Sequence, residues 1–384
     1  MDALISPVER ATKLRELVRQ HADDAERNRR LSPVVAQAMA AEGLYRIAAP
    51  REFYGEEVAP IIQIRTIEEI SRADASAGWN LMIGIESFGL IAPAFKHCRE
   101  LIADPLVVLC GSTAAVGRAD RTDGGYLING QWQFVSGCHN SQIFCATVRL
   151  HEDGEPVAGE INRYAIVELP DFEIIDTWKV GGLCGSGSHD VRVENVLVPP
   201  ERIVAPIGGT THSSPLLRFP LAARLAYNKV GVSLGVARAA IDAFVELAEA
   251  KTPRFSSRML RERSHAHRAV AEAEVRLRAG RALVFELTEQ IWQAVVAGDA
   301  VDKKTRALFQ IACSDAVRGC AQAVDLVAEA AGTSANQLGC PLERMARDVR
   351  VVGQHLTVAA MHIEDGGRVL LGLEPKEAML KGLG

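Results

Sequence analysis

At 384 residues, with 48% hydrophobic and 24% charged residues, the chain reads as a folded protein of two or three domains rather than one small core or a disordered tail. A net charge of −5 without any block of Lys or Arg argues against a nucleic-acid groove or a polybasic membrane anchor. Met1 to Pro7 lacks the basic start and apolar run of a signal peptide, and the apolar stretch from Leu81 to Phe95 is too short to span a bilayer and contains Glu86, so a cytoplasmic protein is expected.

Residues 1–105 read as a helical domain. Ser6-Pro7 supplies an N-cap and first-turn proline, and Ala11, Leu14, Leu17 and Val18 recur at helical spacing behind it. Ser32-Pro33 opens a second helix through Val35, Ala38 and Met39, which stops near Gly43. Ile61 to Ala73 and Ala77 to Gly84 are further helical stretches, the first with Glu68 and Glu69 on its surface.

Residues 106–210 change to short β-branched or alternating runs with Gly and Asp punctuation, and form a central β domain. The clearest run is Gly124 to Val135. Its Asn129-Gly130 dipeptide predicts a tight type I′ hairpin, after which Trp132 and Phe134 share one face and Gln131 and Gln133 the other. Val191, Val193, Val196 and Val198 mark a later strand that ends at Pro199-Pro200.

In residues 211–384 the spacing predicts four long amphipathic helices, Ala222 to Lys251, His265 to Ala297, Lys303 to Ala331 and Leu342 to Leu371. Together they suggest an antiparallel four-helix bundle. The fold class is therefore α+β and mostly helical. The eight cysteines show no CxxC spacing, so all are read as reduced, no metal site is expected, and only Cys138 and Cys184 fall near functional segments.

Four segments, in order, resemble the flavin-dependent monooxygenases that share the acyl-CoA dehydrogenase fold. They are Ala73 to Asn80, Gly130 to Cys138, Thr177 to Asp190 leading into Val198-Pro199, and Pro341 to Arg344 through Arg347-Asp348 to His355. The resemblance covers nearly the whole chain. It implies a central β-barrel between the helical domains and a two-component aromatic hydroxylase. Such an enzyme takes reduced flavin (FMNH2 or FADH2) from a separate flavin reductase and uses O2 on a small aromatic substrate. It also implies a homotetramer.

The strand ending in Phe134-Val135-Ser136-Gly137 brings a hydroxyl and free backbone N–H groups to one edge of the β domain, as a flavin ring requires. The plainer alternative is that Ser136 closes a strand and Trp132 is core. By resemblance Ser136 lies near the flavin N5, with Trp132, Phe134, Gly137 and Cys138 around it. Gly181 to Ser188 can present backbone N–H groups to a phosphate or a flavin edge, through Gly185, Ser186 and Ser188, or can simply be a tight loop. It lacks the lysine of a P-loop. The family usually has an arginine where this chain has Cys184. Arg254 and Arg258, beside Phe255, are candidate flavin-phosphate ligands reaching a neighbouring subunit, or a solvated charged loop.

On the substrate side the candidates are Trp79, Glu86 and His355. By resemblance His355, on the last long helix beyond an Arg344/Asp348 bridge, accepts a substrate proton. A lone histidine at such a place is more commonly a packing residue, and His362 is read as structural. Several hydroxylases of the group carry a histidine after the tryptophan. Here Ile85-Glu86-Ser87-Phe88 has none, leaving Glu86 as a polar contact or a partly exposed helix residue. Acyl-CoA dehydrogenases place a carboxylate where this chain reads Gly353-Gln354-His355-Leu356-Thr357. An FAD-dependent acyl-CoA dehydrogenase is thus the second reading, and a non-catalytic helical-bundle binding protein the third.

Overall fold

The structure, a computed structural model, describes residues 5–160, 162–205 and 214–381. The amino-terminal residues 1–4 and the 210/211 division expected from sequence lie outside them. Helices α1 (Pro7–Asn28), α2 (Pro33–Ala41), α3 (Pro60–Ser71) and α4 (Ala75–Ile91) come first. The Ser6 hydroxyl accepts from Glu9 N while Glu9 accepts from Ser6 N, a capping box that starts α1 where the sequence placed it. Glu68 and Glu69 are not a bare surface. They pair with Arg281 and with Arg15 and Arg72.

Strands β1 (Leu109–Thr122), β2 (Gly125–Val135), β3 (Ile143–Glu152), β4 (Glu155–Pro156), β5 (Arg163–Glu168), β6 (Glu173–Ile175), β7 (His189–Val198) and β8 (Ile203–Val204) form one sheet. Its order is β6-β7-β2-β1-β3-β5-β8, with β4 added to β3. Strands β5 and β7 approach each other, so the sheet curls around a core of its own built from Trp132, Phe144, Val148, Val167 and Val191.

Two local elements differ from what their sequence signals predict. The hairpin turns at Asp123-Gly124, because Thr122 pairs with Gly125, while Asn129 and Gly130 stay inside β2. Asn129 Oδ1 instead accepts the Asn195 N–H at 2.8 Å. Nor do Trp132 and Phe134 share a face. The β2–β7 register shifts between Trp132 and Val135, and Phe134 takes a φ of 60°, the signature of a bulge that re-aims one side chain.

After the short α5 (Pro215–Arg218) come α6 (Leu221–Ala250), α7 (Ser264–Ala297) and α8 (Lys303–Ala331), close to their predicted limits. The fourth predicted helix is two, α9 (Pro341–Val352) and α10 (Met361–Leu370), followed by the short α11 (Ala378–Lys381). His355 therefore sits in the turn between α9 and α10. There its Nδ1 takes the Thr357 N–H, and Gln310 of α8 donates to Thr357 O at 2.5 Å. The break is held by tertiary bonds that replace the helical ladder.

Candidate functional site

Three segments meet at the end of β2. Helix α4 begins at Asp74, whose side chain caps Ala77 N at 2.7 Å. That start aims Trp79 and Asn80 at the sheet edge. The Trp79 indole N–H donates to Ser136 Oγ at 3.0 Å, and Asn80 Nδ2 donates to Ser186 O at 3.2 Å. Gly137 follows in the left-handed region (φ 78°), donates its own N–H to Ser186 O, and leaves no room for a Cβ against Asn80.

The third segment is the loop 181–188. Ser186 and Ser188 Oγ lie 2.8 Å apart, and Ser188 and Ser136 Oγ 2.7 Å. All three hydroxyls belong to buried residues. An indole N–H only donates, so Ser136 must accept from Trp79. If the chain of hydroxyls runs Ser186 to Ser188 to Ser136, the Ser136 proton is left to donate to a bound group.

Outside this chain Phe134 is 69% exposed and meets Trp178 edge-on at 6.1 Å, an uncovered aromatic wall beside Ser136. A hydroxyl that can turn its proton to a bound group and an open aromatic face suit a flavin ring, and in these the residues present fit one. The N–H groups of Ser136, Gly137, Ser186 and Gly187, by contrast, expected free, are bonded within the chain.

Trp132, by contrast, is fully buried in the barrel, donates to Thr147 O at 2.9 Å and packs edge-on against Phe144. It cannot face a cofactor, and the plainer alternative, that Trp132 is core, holds. The thiol of Cys138 is turned to Gly187 O and pushed up to about 12 by burial, so its side chain packs while its backbone follows the turn. Cys184 donates to Val180 O at 3.2 Å and is likewise held neutral, mainly by burial. Gly185 packs against Ala25 and Ser76.

His355 meets the other face of the site. Its ring lies 5.5 Å from Trp79 in an edge-on arrangement. Nδ1 sits 2.9 Å from Thr357 Oγ1 and 3.3 Å from Thr357 N. A backbone N–H can only donate and a hydroxyl can donate too, so an unprotonated Nδ1 satisfies both and puts the ring proton on Nε2. Burial, helped by the charge of Lys229, lowers its pKa to about 3. At neutral pH the ring is neutral and a hydrogen-bond donor at Nε2, which differs from the proton-accepting role implied by resemblance. His362 is buried and its Nε2 lies 2.6 Å from Leu356 O, a structural position.

Glu86 is a helix residue whose side chain is 10% exposed, and it is not a free pocket contact. Both its oxygens take the Lys229 ammonium at 2.5 Å, and Asn228 Nδ2 is 3.4 Å from Oε1. Lys229 is 1% exposed, and burial pulls its pKa down while Glu86 opposes that. Sequence reasoning missed Lys229. The available signal was a single charge in the apolar run Tyr227 to Leu234. The Arg344–Asp348 bridge also does not form: Arg344 donates to Asp23 and Asp348 accepts from Leu183 N.

Arg254 lies over the ring of its own neighbour Phe255, and Arg258 donates to Glu262 O. The start of this segment is anchored by Lys251, which donates to Ala331 O at the end of α8 and to Ser334 Oγ just beyond it. No group of three or more His, Cys, Asp or Glu that could hold a metal occurs among the described residues.

The family models named "Acyl-CoA dehydrogenase, N-terminal domain" and "Acyl-CoA dehydrogenase, C-terminal domain" match residues 10–98 and 229–360. The chain is 30% identical over 358 residues to the indole-3-acetate monooxygenase of Pseudomonas putida, covering 93% of this chain and 91% of that one. It is 28% identical to the oxygenase component of an FADH(2)-dependent resorcinol hydroxylase of Rhizobium sp., over 96% and 95% of the two chains. In three dimensions it is similar to the 3-HSA hydroxylase of Rhodococcus sp. RHA1, with a TM-score of 0.86 and 24% identity over 98% of this chain and 99% of that one, a likeness of fold.

Proposed function

The chain belongs to the flavin-dependent monooxygenases of acyl-CoA dehydrogenase fold and is the oxygenase component of a two-component system using reduced flavin and O2, and on that premise we propose that it hydroxylates a small aromatic or heteroaromatic substrate. The observation that carries the reading is Trp79, which is bonded to Ser136 through its N–H and packed against His355 through its ring. One side chain thus joins a flavin-facing hydroxyl to a substrate-facing imidazole. Relatives named for indole-3-acetate and resorcinol support an aromatic substrate.

When bound, reduced flavin supplies the electrons that activate O2. Within the chain, Ser136, Ser186 and Ser188 form a hydroxyl relay at the ring edge, Phe134 is the aromatic wall, and Trp79 and the turn at Gly137 and Cys138 keep water from that edge. His355 donates from Nε2 to the substrate's polar atom and orients it. A separate flavin reductase supplies the reduced cofactor, and the protein works in the cytoplasm. No helix among the described residues is long and apolar enough to cross a membrane. A homotetramer would cover Phe255, which is 96% exposed, and would bring Arg254 and Arg258 to a neighbouring subunit's flavin phosphate.

The test mixes the protein with chemically reduced FMN or FAD and a panel of phenols and indoles under 18O2. Incorporation of one labelled oxygen into a ring substrate supports the proposal. Flavin oxidation without labelled product across the panel, together with tightly bound FAD that an acyl-CoA bleaches, would replace it with the dehydrogenase.

A further inference from the structure

Helix α9 reaches out of its bundle to hold the loop that carries Ser186 and Ser188, and it uses two adjacent residues. The Leu183 N–H donates to Asp348 Oδ1 at 2.7 Å in the interior, and the Arg347 guanidinium donates to Gly181 O at 2.6 Å. Between them Gly182 lies so close that a Cβ would stand 2.6 Å from the Arg347 carbonyl. Leu183 itself is left-handed, at φ 51°. A non-glycine residue stays there only where its surroundings over-determine it.

The Leu183 carbonyl accepts from Trp178 Nε1 at 3.1 Å and from Ser186 N at 3.0 Å, so both sides of this residue are fixed. The turn that follows delivers Ser186 O to Gly137 and Asn80 and the two serine hydroxyls to Ser136.

We propose that Asp348 is a positioning residue of the oxygenase site: by receiving the Leu183 N–H, its carboxylate fixes the loop that sets the hydroxyl chain ending on Ser136. The consequence for flavin rests on the reading of Ser136 given above, whereas the hold on the loop is a property of this chain alone.

Several charged or titratable groups face Asp348. They are Asp74 at the start of α4, Glu26 on α1, Arg344 and Arg347 on its own helix, and Cys184 in the loop. Burial first, and Asp74 second, push its carboxyl up to about 7, against the opposing pull of the Leu183 N–H and Arg347. A carboxylate accepts more strongly than its protonated form, so the hold on Leu183 loosens as pH falls through that value.

The experiment follows amide hydrogen exchange across residues 181–188 in the full chain without added flavin, at pH 6 and pH 8 and corrected for intrinsic rates. Oxidised-flavin affinity is measured beside it by fluorescence. Wild type gains about tenfold protection at Leu183 between pH 6 and pH 8. In D348A that protection falls about tenfold or more at pH 8, and flavin binds about tenfold more weakly. D348N keeps a neutral acceptor, so protection becomes independent of pH and affinity stays within about threefold of wild type. It is the deciding variant should D348A not fold.

Unchanged protection of the loop in D348A, or a loss spread evenly over the whole chain, would overturn the proposal, as would a pH response in D348N equal to that of wild type. Loss of loop protection with unchanged flavin affinity would uphold the positioning and remove instead the reading of Ser136 as flavin-facing.

Discussion

The indole N–H of Trp79 ends on the hydroxyl of Ser136, 3.0 Å away, and this one bond joins the first helical layer to the bulged end of β2. Trp79→Phe keeps the ring and its packing on His355 but removes the donor. A single neutral hydrogen bond is worth about 1 kcal/mol, or roughly fivefold. The expected result is a fall of about three- to tenfold in product formed per reduced flavin oxidised, with hydrogen peroxide making up the difference and a melting temperature within a few degrees of wild type. Ser136→Ala should do the same or more. Full coupling in both variants would remove the pair from the chemistry.

Buried charge predicts a second outcome. The Glu86–Lys229 pair is enclosed, and removing one partner strands the other. Glu86→Leu or Lys229→Met should each cost about 3–5 kcal/mol in urea unfolding, because an unpaired charge is left inside. The double variant should recover most of that loss. Equal and additive losses would mean that the two side chains act through packing alone.

The acid limb of stability carries a third. The folded pKa of His355 lies near 3, below the ordinary histidine value, so between about pH 3 and pH 6.5 the unfolded chain holds more protons. Stability contributed by the neutral ring is present above the unfolded value and is lost as pH falls toward the folded one. One such proton gives a slope of at most about 1.4 kcal/mol per pH unit. His139, lowered to about 4 chiefly by burial, acts in the same direction. His355→Gln should flatten the dependence between pH 4 and 6. Its product yield should fall at every pH without changing the shape of the profile near pH 6.5, because the native ring does not titrate there.

These sites differ in how far the sequence disclosed them. Ser6-Pro7 announced its helix through a capping box that forms, and Pro33 announced the next at its first turn, although the Ser32 hydroxyl makes no cap bond. Lys303 to Ala331 was read to the residue because its buried face is largely apolar and Asp302 caps its start. The break at His355 was missed although Gly353 stands directly after Val352, the last residue of α9; the apolar spacing carries on past that glycine, and the bond from Gln310 of another helix that holds the turn is invisible in sequence. Asn129-Gly130 carried a genuine turn signal, but Asn129 spends its side chain on Asn195, and pairing with β7 keeps the dipeptide within a strand. The bulge at Phe134 was hidden for a related reason, since alternation assumes an unbroken ladder. Ser136 was found by resemblance. Its partners Trp79 and Ser188 were named from other segments, and the bonds joining them exist only once three distant pieces of chain are folded together.

That bulge separates two aromatic residues that lie two positions apart, and it sets the sharpest contrast available. Trp132 is fully buried and Phe134 is 69% exposed. Truncating the indole opens a cavity in the barrel, so Trp132→Ala should cost about 3–5 kcal/mol of stability and reach flavin only through general loosening. Phe134 already faces solvent, so Phe134→Ala should move stability by about 0.5 kcal/mol or less. If Phe134 is the wall for the flavin ring, the same change should weaken oxidised-flavin binding by about three- to tenfold, since an aromatic pair is worth about 0.5–1.5 kcal/mol beyond its buried area. Phe134→Trp should restore it. Denaturant unfolding and flavin titration on the same preparations separate the two residues, because one variant should shift only the first curve strongly and the other only the second. Flavin affinity untouched in Phe134→Ala would move the ring away from this face of the sheet.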